Sequence, residues 1–356
     1  MRVLIVCDFL FKYGSQQARS LVQADHEVAM LCRSHSLEFG GETGERDEWI
    51  AALEREGIRM FVVPGRIRSL SATPRTLDLR RAVSHWRPHV VHVHENHDPR
   101  LLALTSGYRT VLTVHDPLGH PGAPELTRWE NWAFRRWFGR AQRFVVHGQA
   151  LVEELAPIVG GRGRIVVIPH GAWVHREPLP PPHAPTVLLF GRLEQYKGVE
   201  VLAAAMRLVW ERRPEVRLIV AGAGQAARLV PDDPRVSLIA RYVSESEVDA
   251  LLARASLVAL PYTQASQSGV GLLAISAGVP VVVSDLGALP ELACDPSFVF
   301  EAGDPVALAD AIERHVGDGA PVRRSVLRHA RSHFSWQRSA RLTSDLYREL
   351  ITTNGS

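Results

Sequence analysis

Apolar and polar positions along the 356-residue chain fall into two repeating rhythms. Short runs of Val, Ile and Leu without alternation recur at 2–7, 27–32, 58–63, 89–93, 109–114, 142–147 and 164–169. Strands of that kind are buried on both faces, the mark of a parallel sheet between helix layers. Between them, windows near 16–24, 45–56, 75–86, 125–139 and 149–158 have helical spacing. The rhythm stops at 172–185, AWVHREPLPPPHAP, where five prolines predict a stiff, extended linker. A second set of strands follows at 187–190, 216–221, 236–239, 256–260, 279–284 and 298–300, and the stretch FSWQRSARLTSDLYRELI reads as a terminal amphipathic helix. The tail 352–356 is polar and is expected to fray.

The pattern predicts an α/β protein with two Rossmann-like, doubly wound domains. Their spans are 1–172 and 186–334, joined by the linker 173–185. Length agrees, since single cores rarely grow past about 250–300 residues. Hydrophobic content of 46% and charged content of 22% are ordinary for a soluble globular enzyme. A net charge of +3 is too small to argue for a nucleic-acid partner. No apolar run approaches the roughly 18–20 residues of a membrane-spanning helix. The opening MRVLIVCDFLF could pass for a signal sequence, but its early Asp8 and lack of a small-residue cleavage site favour a first Rossmann strand. Three widely spaced cysteines, Cys7, Cys32 and Cys294, suggest neither a disulfide framework nor a zinc knuckle, and a cytoplasmic location is expected.

The most informative chemistry lies at 186–198, TVLLFGRLEQYKG. A buried strand ends at Gly191, Arg192 and Lys197 stand five positions apart, and Gly198 opens a long apolar helix. A strand end, two cations and a helix start make a cradle for a diphosphate. Arg grips phosphate oxygens in a fork, while Lys supplies a mobile point charge. An ordinary βα turn with surface cations would show the same spacing. In PYTQASQSGVGLLAISAG a helix is expected to begin around Val270, so that Gln267, Ser268 and Gly269 offer amides and a hydroxyl at its N-terminus. A Ser-Gly turn with a Ser cap is the plainer alternative. Ser244 is expected to cap a helix whose Glu247 completes a capping box. Near the start, Gly14 and Ser15 open a helix that could bring amides toward a ligand, or Ser15 is simply its cap.

FGRLEQYKG resembles the phosphate-binding signature of the retaining, nucleotide-sugar glycosyltransferases of the GT-B fold, glycosyltransferase family 4. AGAG, ARYVSESEVDALLARA and LPYTQASQSGVGLLAISAGVPVVVSDLGALPE follow in the family's order, with TVHDPLGHPG, VVHGQAL and VVIPHG upstream. The resemblance implies two domains facing across a cleft, with the helix 335–351 packed back on the N-terminal one. It implies sugar transfer from a nucleoside-diphosphate sugar (UDP, GDP, ADP or dTDP) to a glycan, lipid-linked or small-molecule acceptor. No cofactor and no required metal are implied.

Residue by residue, the resemblance gives His115 a contact with the donor sugar. Arg192 and Lys197 are carried over as the catalytic cations on the leaving diphosphate, bound also by Gly191, Gln267, Ser268 and Gly269. The base goes to the loop of Tyr242 and Val243, with Glu247 beside it. Gly14, Ser15, His94, Glu95 and Asn96 fall on the acceptor side. His92, His94 and His97 are close enough in sequence to suggest a metal, but no Asp-x-Asp pair stands ready to hold one on a sugar nucleotide. One departure matters. Most of the family carries two glutamates in the loop after the fourth strand of the second domain; here the second falls on Leu273. A branch with Ala-Ser-Gln-Ser-Gly keeps a single Glu, whose position is Gln264 in this chain. The amide can still hydrogen-bond but carries no charge. A weakened nucleotide-sugar-binding partner, or a GT-B epimerase or phosphorylase, therefore stays open beside transfer. TRWENWAFRRWFGR, rich in Trp and Arg, could lie on an anionic membrane face or be half core and half solvated.

Overall fold

The computed structural model describes residues 1–8, 10–34, 43–64, 73–117 and 127–352. Residues 353–356 of the expected frayed tail and part of the TVHDPLGHPG motif fall outside these residues, while Thr352 is the last residue of the final helix. The chain divides into two compact units, Met1–Gly171 with Trp336–Ser356, and Ala172–Ser335.

The first unit runs β1 (Arg2–Val6), α1 (Phe11–Gln23), β2 (Glu27–Arg33), α2 (Thr43–Arg55), β3 (Arg59–Val63) and α3 (Thr73–Trp86). It continues through β4 (Val90–His94), α4 (Pro99–Leu104), β5 (Thr110–Thr113), α5 (Arg128–Arg140), β6 (Arg143–Val146), α6 (Gln149–Val159) and β7 (Ile165–Val167). The second unit holds β8 (Thr186–Phe190), α7 (Val199–Arg212), β9 (Arg217–Ala221), β10 (Val236–Ile239), α8 (Glu245–Ala253) and β11 (Leu257–Leu260). After these come α9 (Gly269–Ser276), β12 (Val281–Ser284), β13 (Val299–Phe300), α10 (Pro305–His315) and α11 (Ala320–Phe334). The final helix, α12 (Trp336–Thr352), belongs to the first unit.

Among the described residues, the first sheet has the order β3-β2-β1-β4-β5-β6-β7 and the second β10-β9-β8-β11-β12-β13, with every pairing parallel. Alternate residues of one strand enter different cores. Leu4 and Val6 join the apolar cluster on one face of the first sheet, Val3 and Ile5 that on the other. Leu188 and Phe190 divide from Val187 and Leu189 in the same way. This double burial is why the strands read as unbroken apolar runs. Strand order reverses beside β1 and β4 in the first sheet and beside β8 and β11 in the second. Ligands of open parallel sheets collect at the C-terminal ends of strands flanking such a reversal.

Two local features depart from the sequence pattern. The six-residue α4 was not expected; it is too short to show periodicity and is set by its cap, Asp98, whose side chain accepts from Arg100 N. The proline-rich stretch is strapped to the second unit: His175 N donates to Ser276 O and Leu179 N to Ala277 O, both at 2.9 Å. Arg323 Nη1 donates to Leu179 O at 3.1 Å. In the first unit, Tyr347 of α12 hydrogen-bonds His92 Nδ1 at 2.6 Å, and Ala340, Leu346 and Leu350 enter the same core as Phe11 and Leu21 of α1.

Candidate nucleotide-sugar site

At the reversal of the second sheet, β8 leads into the loop 191–198 and β11 into the loop 261–269. The first loop is clamped by its neighbours. Leu193 N donates to Ala223 O at 2.8 Å, and Ala226 N donates to Leu193 O at 2.8 Å. A side chain on Gly222 would lie 1.7 Å from Gly191 O, so the Gly-Ala-Gly turn after β9 lets two backbones touch. Gly198 is the second such point: its φ is +67° and a Cβ there would stand 1.7 Å from Pro261 O. Thr263 N donates to Tyr196 O at 2.8 Å. The two loops therefore hold each other through main-chain contact.

That arrangement brings the sequence-predicted residues together. Lys197 Nζ sits 3.8 Å from the centre of the Tyr262 ring and 5.1 Å from that of Tyr196. Tyr262 in turn bonds Ser268 Oγ at 3.0 Å, and the same oxygen caps α9 by accepting from Gly271 N at 3.2 Å. The chain is thus Lys197, Tyr262, Ser268, start of α9. Ser268 is buried and its hydroxyl is engaged in the cap, so the helix start offers amides rather than a spare hydroxyl. Gly269 is exposed, and a Cβ added there would meet nothing within 4 Å. Burial, helped by repulsion from the exposed Arg192, brings the Lys197 ammonium down to about 7. Two cations packed with an aromatic platform beside a helix N-terminus suit a bound anion, which would stabilise both charges.

The remaining candidates of this unit are spread around the loop. Gln267 is partly buried next to Ser268, and Gln264 is exposed two residues beyond Tyr262. Leu273, 51% exposed, lies one turn into α9 on the side of Gly269. Tyr242 is exposed and Val243 partly buried after β10. The Glu247 carboxylate is engaged: Ser244 N and Oγ donate to it at 3.0 and 2.8 Å, and Arg241 pairs with it at 2.6 Å. It holds the start of α8. Tyr262 went unnoticed in the sequence because a tyrosine after a strand reads as ordinary core.

In the first unit the strand ends carry imidazoles. His94 ends β4, while His115, His147 and His170 lie just past β5, β6 and β7. They surround Tyr13 of α1, with ring centres 4.3 Å (His170) to 5.6 Å (His147) from it, and Trp336 completes the group at 5.1 Å. His92 stacks on His94 from within the sheet, with centres 5.1 Å apart. Hydrogen bonds fix the rings: His94 meets Gln17 Oε1 at 2.7 Å and His115 Nε2 at 3.2 Å, and His147 Nδ1 meets Ile168 O at 2.8 Å. Burial lowers all of them, to about 3 for His92 and His170 and about 4 for His147, with His94 and His115 well below the ordinary value. Neighbouring imidazoles push the same way for His92, His94, His115 and His170. The group is neutral at pH 7. The family resemblance puts His115 at the sugar and His94 on the acceptor side, and His92 enters the sequence pattern only as a metal ligand; the repeated ending of Val-rich strands in His (VHVH, TVH, VVH, IPH) is a signal that joins them with His147 and His170.

The other first-unit candidates have local duties. Gly14 does not open α1; the helix begins at Phe11, Gly14 N bonds Leu10 O at 2.9 Å, and a Cβ at Gly14 would meet Cys7 Sγ at 2.7 Å. Its role is close helix-on-strand packing. Ser15 is no cap either, since its hydroxyl donates back to Phe11 O at 2.7 Å. Asn96 is buried, and its Oδ1 accepts from Asp98 N at 2.8 Å. Glu95 Oε1 accepts from His115 N at 2.7 Å and Asp116 N at 3.1 Å, so it sets the turn that carries His115. Burial pushes its carboxyl up to about 7 against the pull of those amides. His97 lies apart from His92 and His94, with its ring 5.1 Å from Phe134. Among the described residues no group of three or more His, Cys, Asp or Glu side chains is placed to hold a metal ion.

Solved structures with this architecture define the class. A sucrose-phosphate synthase from Thermosynechococcus elongatus superposes with a TM-score of 0.70 at 16% identity, covering 99% of this chain and 100% of the other. Anabaena HepE, solved in complex with UDP and glucose, gives 0.67 at 18% identity over 98% of this chain and 100% of its own. The fold is GT-B. Family models carry the assignment further: Glycosyltransferase Family 4 matches 13–176, and Glycosyl transferases group 1 matches 184–318. A Mycobacterium tuberculosis glycogen synthase is 29% identical over 299 residues, 74% of this chain and 69% of that protein. A D-inositol 3-phosphate glycosyltransferase of Corynebacterium glutamicum is 29% identical over 188 residues, 48% of this chain and 45% of its own. The chain belongs to glycosyltransferase family 4, and it is a transferase of GT-B type.

Proposed function

We propose that this protein takes a sugar from a nucleoside-diphosphate sugar and transfers it with retention of configuration to a glycan, lipid-linked or small-molecule acceptor. The observation that supports the reading is the locked pair of loops, which holds Lys197 against Tyr262 and, through Ser268, next to the start of α9, with Arg192 close enough to act on the Lys197 charge. Arg192 and Lys197 would neutralise the diphosphate as it leaves, each charge-assisted contact being worth about 1.5–3 kcal/mol. The α9 amides share that load. The leaving phosphate then takes the acceptor proton on the same face. His115, held neutral, hydrogen-bonds a sugar hydroxyl without repelling the positive charge that develops at the anomeric carbon. The relatives, a glycogen synthase and a D-inositol 3-phosphate glycosyltransferase, and the HepE structure in complex with UDP and glucose favour this reading. No required metal is part of it.

Calorimetry tests it. Arg192→Ala and Lys197→Ala should each weaken nucleoside-diphosphate binding about tenfold or more, which is about 1.4 kcal/mol, while an uncharged nucleoside binds as before. Unchanged affinity in both variants would remove the proposal. A second reading, a disarmed relative that binds donor without turnover, is favoured by the exposed Gln264 and by Leu273 where the family resemblance puts carboxylates. Gln264→Glu separates the two. If the wild type transfers sugar, the substitution should raise turnover and leave diphosphate affinity alone. If only the Glu variant turns over, the protein is a disarmed glycosyltransferase.

A further inference from the structure

Helix α5 carries a surface that sugar transfer does not explain. Its start is fixed by a capping box: Thr127 N and Oγ donate to Glu130 at 2.9 and 2.6 Å. One side anchors it. Ala133 and Trp137 are fully buried, Phe138 packs 5.6 Å from Phe144, and Arg140 donates to Leu102 O at 3.0 Å. The other side presents Arg128, Trp129, Trp132, Arg135 and Arg136, all exposed. Trp129 is 70% exposed and Trp132 44%, and the two indoles meet edge to face with centres 6.4 Å apart. The Arg136 guanidinium stands 5.7 Å from the Trp132 ring. Glu130 is the sole acid in this helix and is held in the cap.

Two neighbouring indoles in water are an unusual surface for a soluble protein. Indoles favour the headgroup layer of a bilayer, where the ring is half desolvated and its N–H finds an oxygen. Guanidinium groups pair in a fork with lipid phosphates. The exposed side chains share one side of a single helix, an arrangement that suits a plane of headgroups. No helix among the described residues is long and apolar enough to cross a membrane. We propose that α5 docks the protein on a membrane surface rich in anionic lipid, with Trp129 and Trp132 entering the headgroup layer and Arg128, Arg135 and Arg136 pairing with lipid phosphates.

The test uses the full chain with vesicles of phosphatidylcholine alone and of an equal mixture with phosphatidylglycerol. Co-sedimentation should appear with the mixed vesicles only, weaken as salt is raised, and bring a blue shift of indole emission. Trp129→Ser combined with Trp132→Ser should lower the partition coefficient roughly tenfold. Each Arg→Gln change at 128, 135 or 136 should lower it about fivefold, the equivalent of about 1 kcal/mol. The substituted side chains are exposed, so circular dichroism and nucleoside-diphosphate affinity should match the wild type. A fold defect in the Trp pair would leave the Arg series to decide. Absence of binding, equal binding to both vesicle types, or indifference to both sets of substitutions would overturn the proposal. So would equally tight binding of soluble dextran sulfate, which would assign the face to a polyanionic chain. Because Arg192 and Lys197 lie in the other unit, loss of donor binding in their variants leaves this result untouched.

Discussion

The C-terminal ends of the two sheets are built by the same topological rule and furnished in opposite ways. In the first unit, four strands in a row end in or next to histidine, so the site is made of side chains: a buried wall of neutral imidazoles around Tyr13. In the second unit, β8 and β9 end at glycine and β11 at proline, so backbones close on one another beside a helix start, with Lys197 half-buried against Tyr262 and Arg192 exposed. The first arrangement is polar and uncharged and would suit a sugar; the second sets positive charge on a rigid frame and would suit a diphosphate. A shared fold places ligand sites at the strand ends, and the residues there favour one kind of ligand over another.

Acid should separate the two ends most strongly. His92 and His147 are buried and neutral, with values near 3 and 4, below the ordinary 6.5 of the unfolded chain. The unfolded state thus takes up protons first as pH falls. Stability from this source is complete above about pH 6.5 and drains away as pH falls, down to about pH 4 for His147 and about pH 3 for His92, at roughly 1.4 kcal/mol per pH unit for each ring. At pH 5 the two together should cost the first unit on the order of 4 kcal/mol. Hydrogen exchange followed by mass spectrometry at pH 7.5 and 5 should show β4 and β6 opening while β8 and β11 keep their protection. Equal loss in both sheets would mean that the imidazoles are not what distinguishes them.

The frame of the second end is sharpened by glycine substitution. Gly198→Ala forces a left-handed backbone and a clash with Pro261 O that main chain cannot relieve, so thermal unfolding should report a loss of about 3 kcal/mol. Gly269→Ala, whose new methyl meets open space, should stay within about 0.5 kcal/mol of wild type. Similar stability in both variants would show that the two loops are not locked by this contact.

A smaller effect concerns charge. Lys197 loses its proton near pH 7 when the site is empty, and a bound diphosphate would restore it. Below pH 7 the ammonium is already present. Above it, binding must take up a proton, so affinity should fall by up to about tenfold for each pH unit. Lys197→Arg, which keeps its charge, should flatten that part of the profile. A wild-type profile already flat between pH 7 and 9 would show that the ammonium is not required for binding.

Much of this molecule was legible in its sequence where the cause is local. Unbroken Val, Ile and Leu runs marked the strands within a residue or two, because double burial allows few other residue types. The capping box of Ser244 and Glu247 and the cations Arg192 and Lys197 could be named because cap, turn and helix start lie within a few positions of each other. Other features depended on distant partners. Gly14 looked like a helix opening and proved to be a packing point against Cys7; Ser15 turned inward to Phe11 O. The proline-rich stretch read as a stiff, extended linker, and the structure adds that it is bound to the second unit by Ser276, Ala277 and Arg323. Tyr262 gained its place between Lys197 and Ser268 from loops that only the reversal of strand order brings side by side. The sequence by itself determined the elements and the chemistry each strand end could carry. Tertiary structure decided which ends meet, because parallel strands joined by long crossovers pair by sheet order, and no local pattern encodes that order.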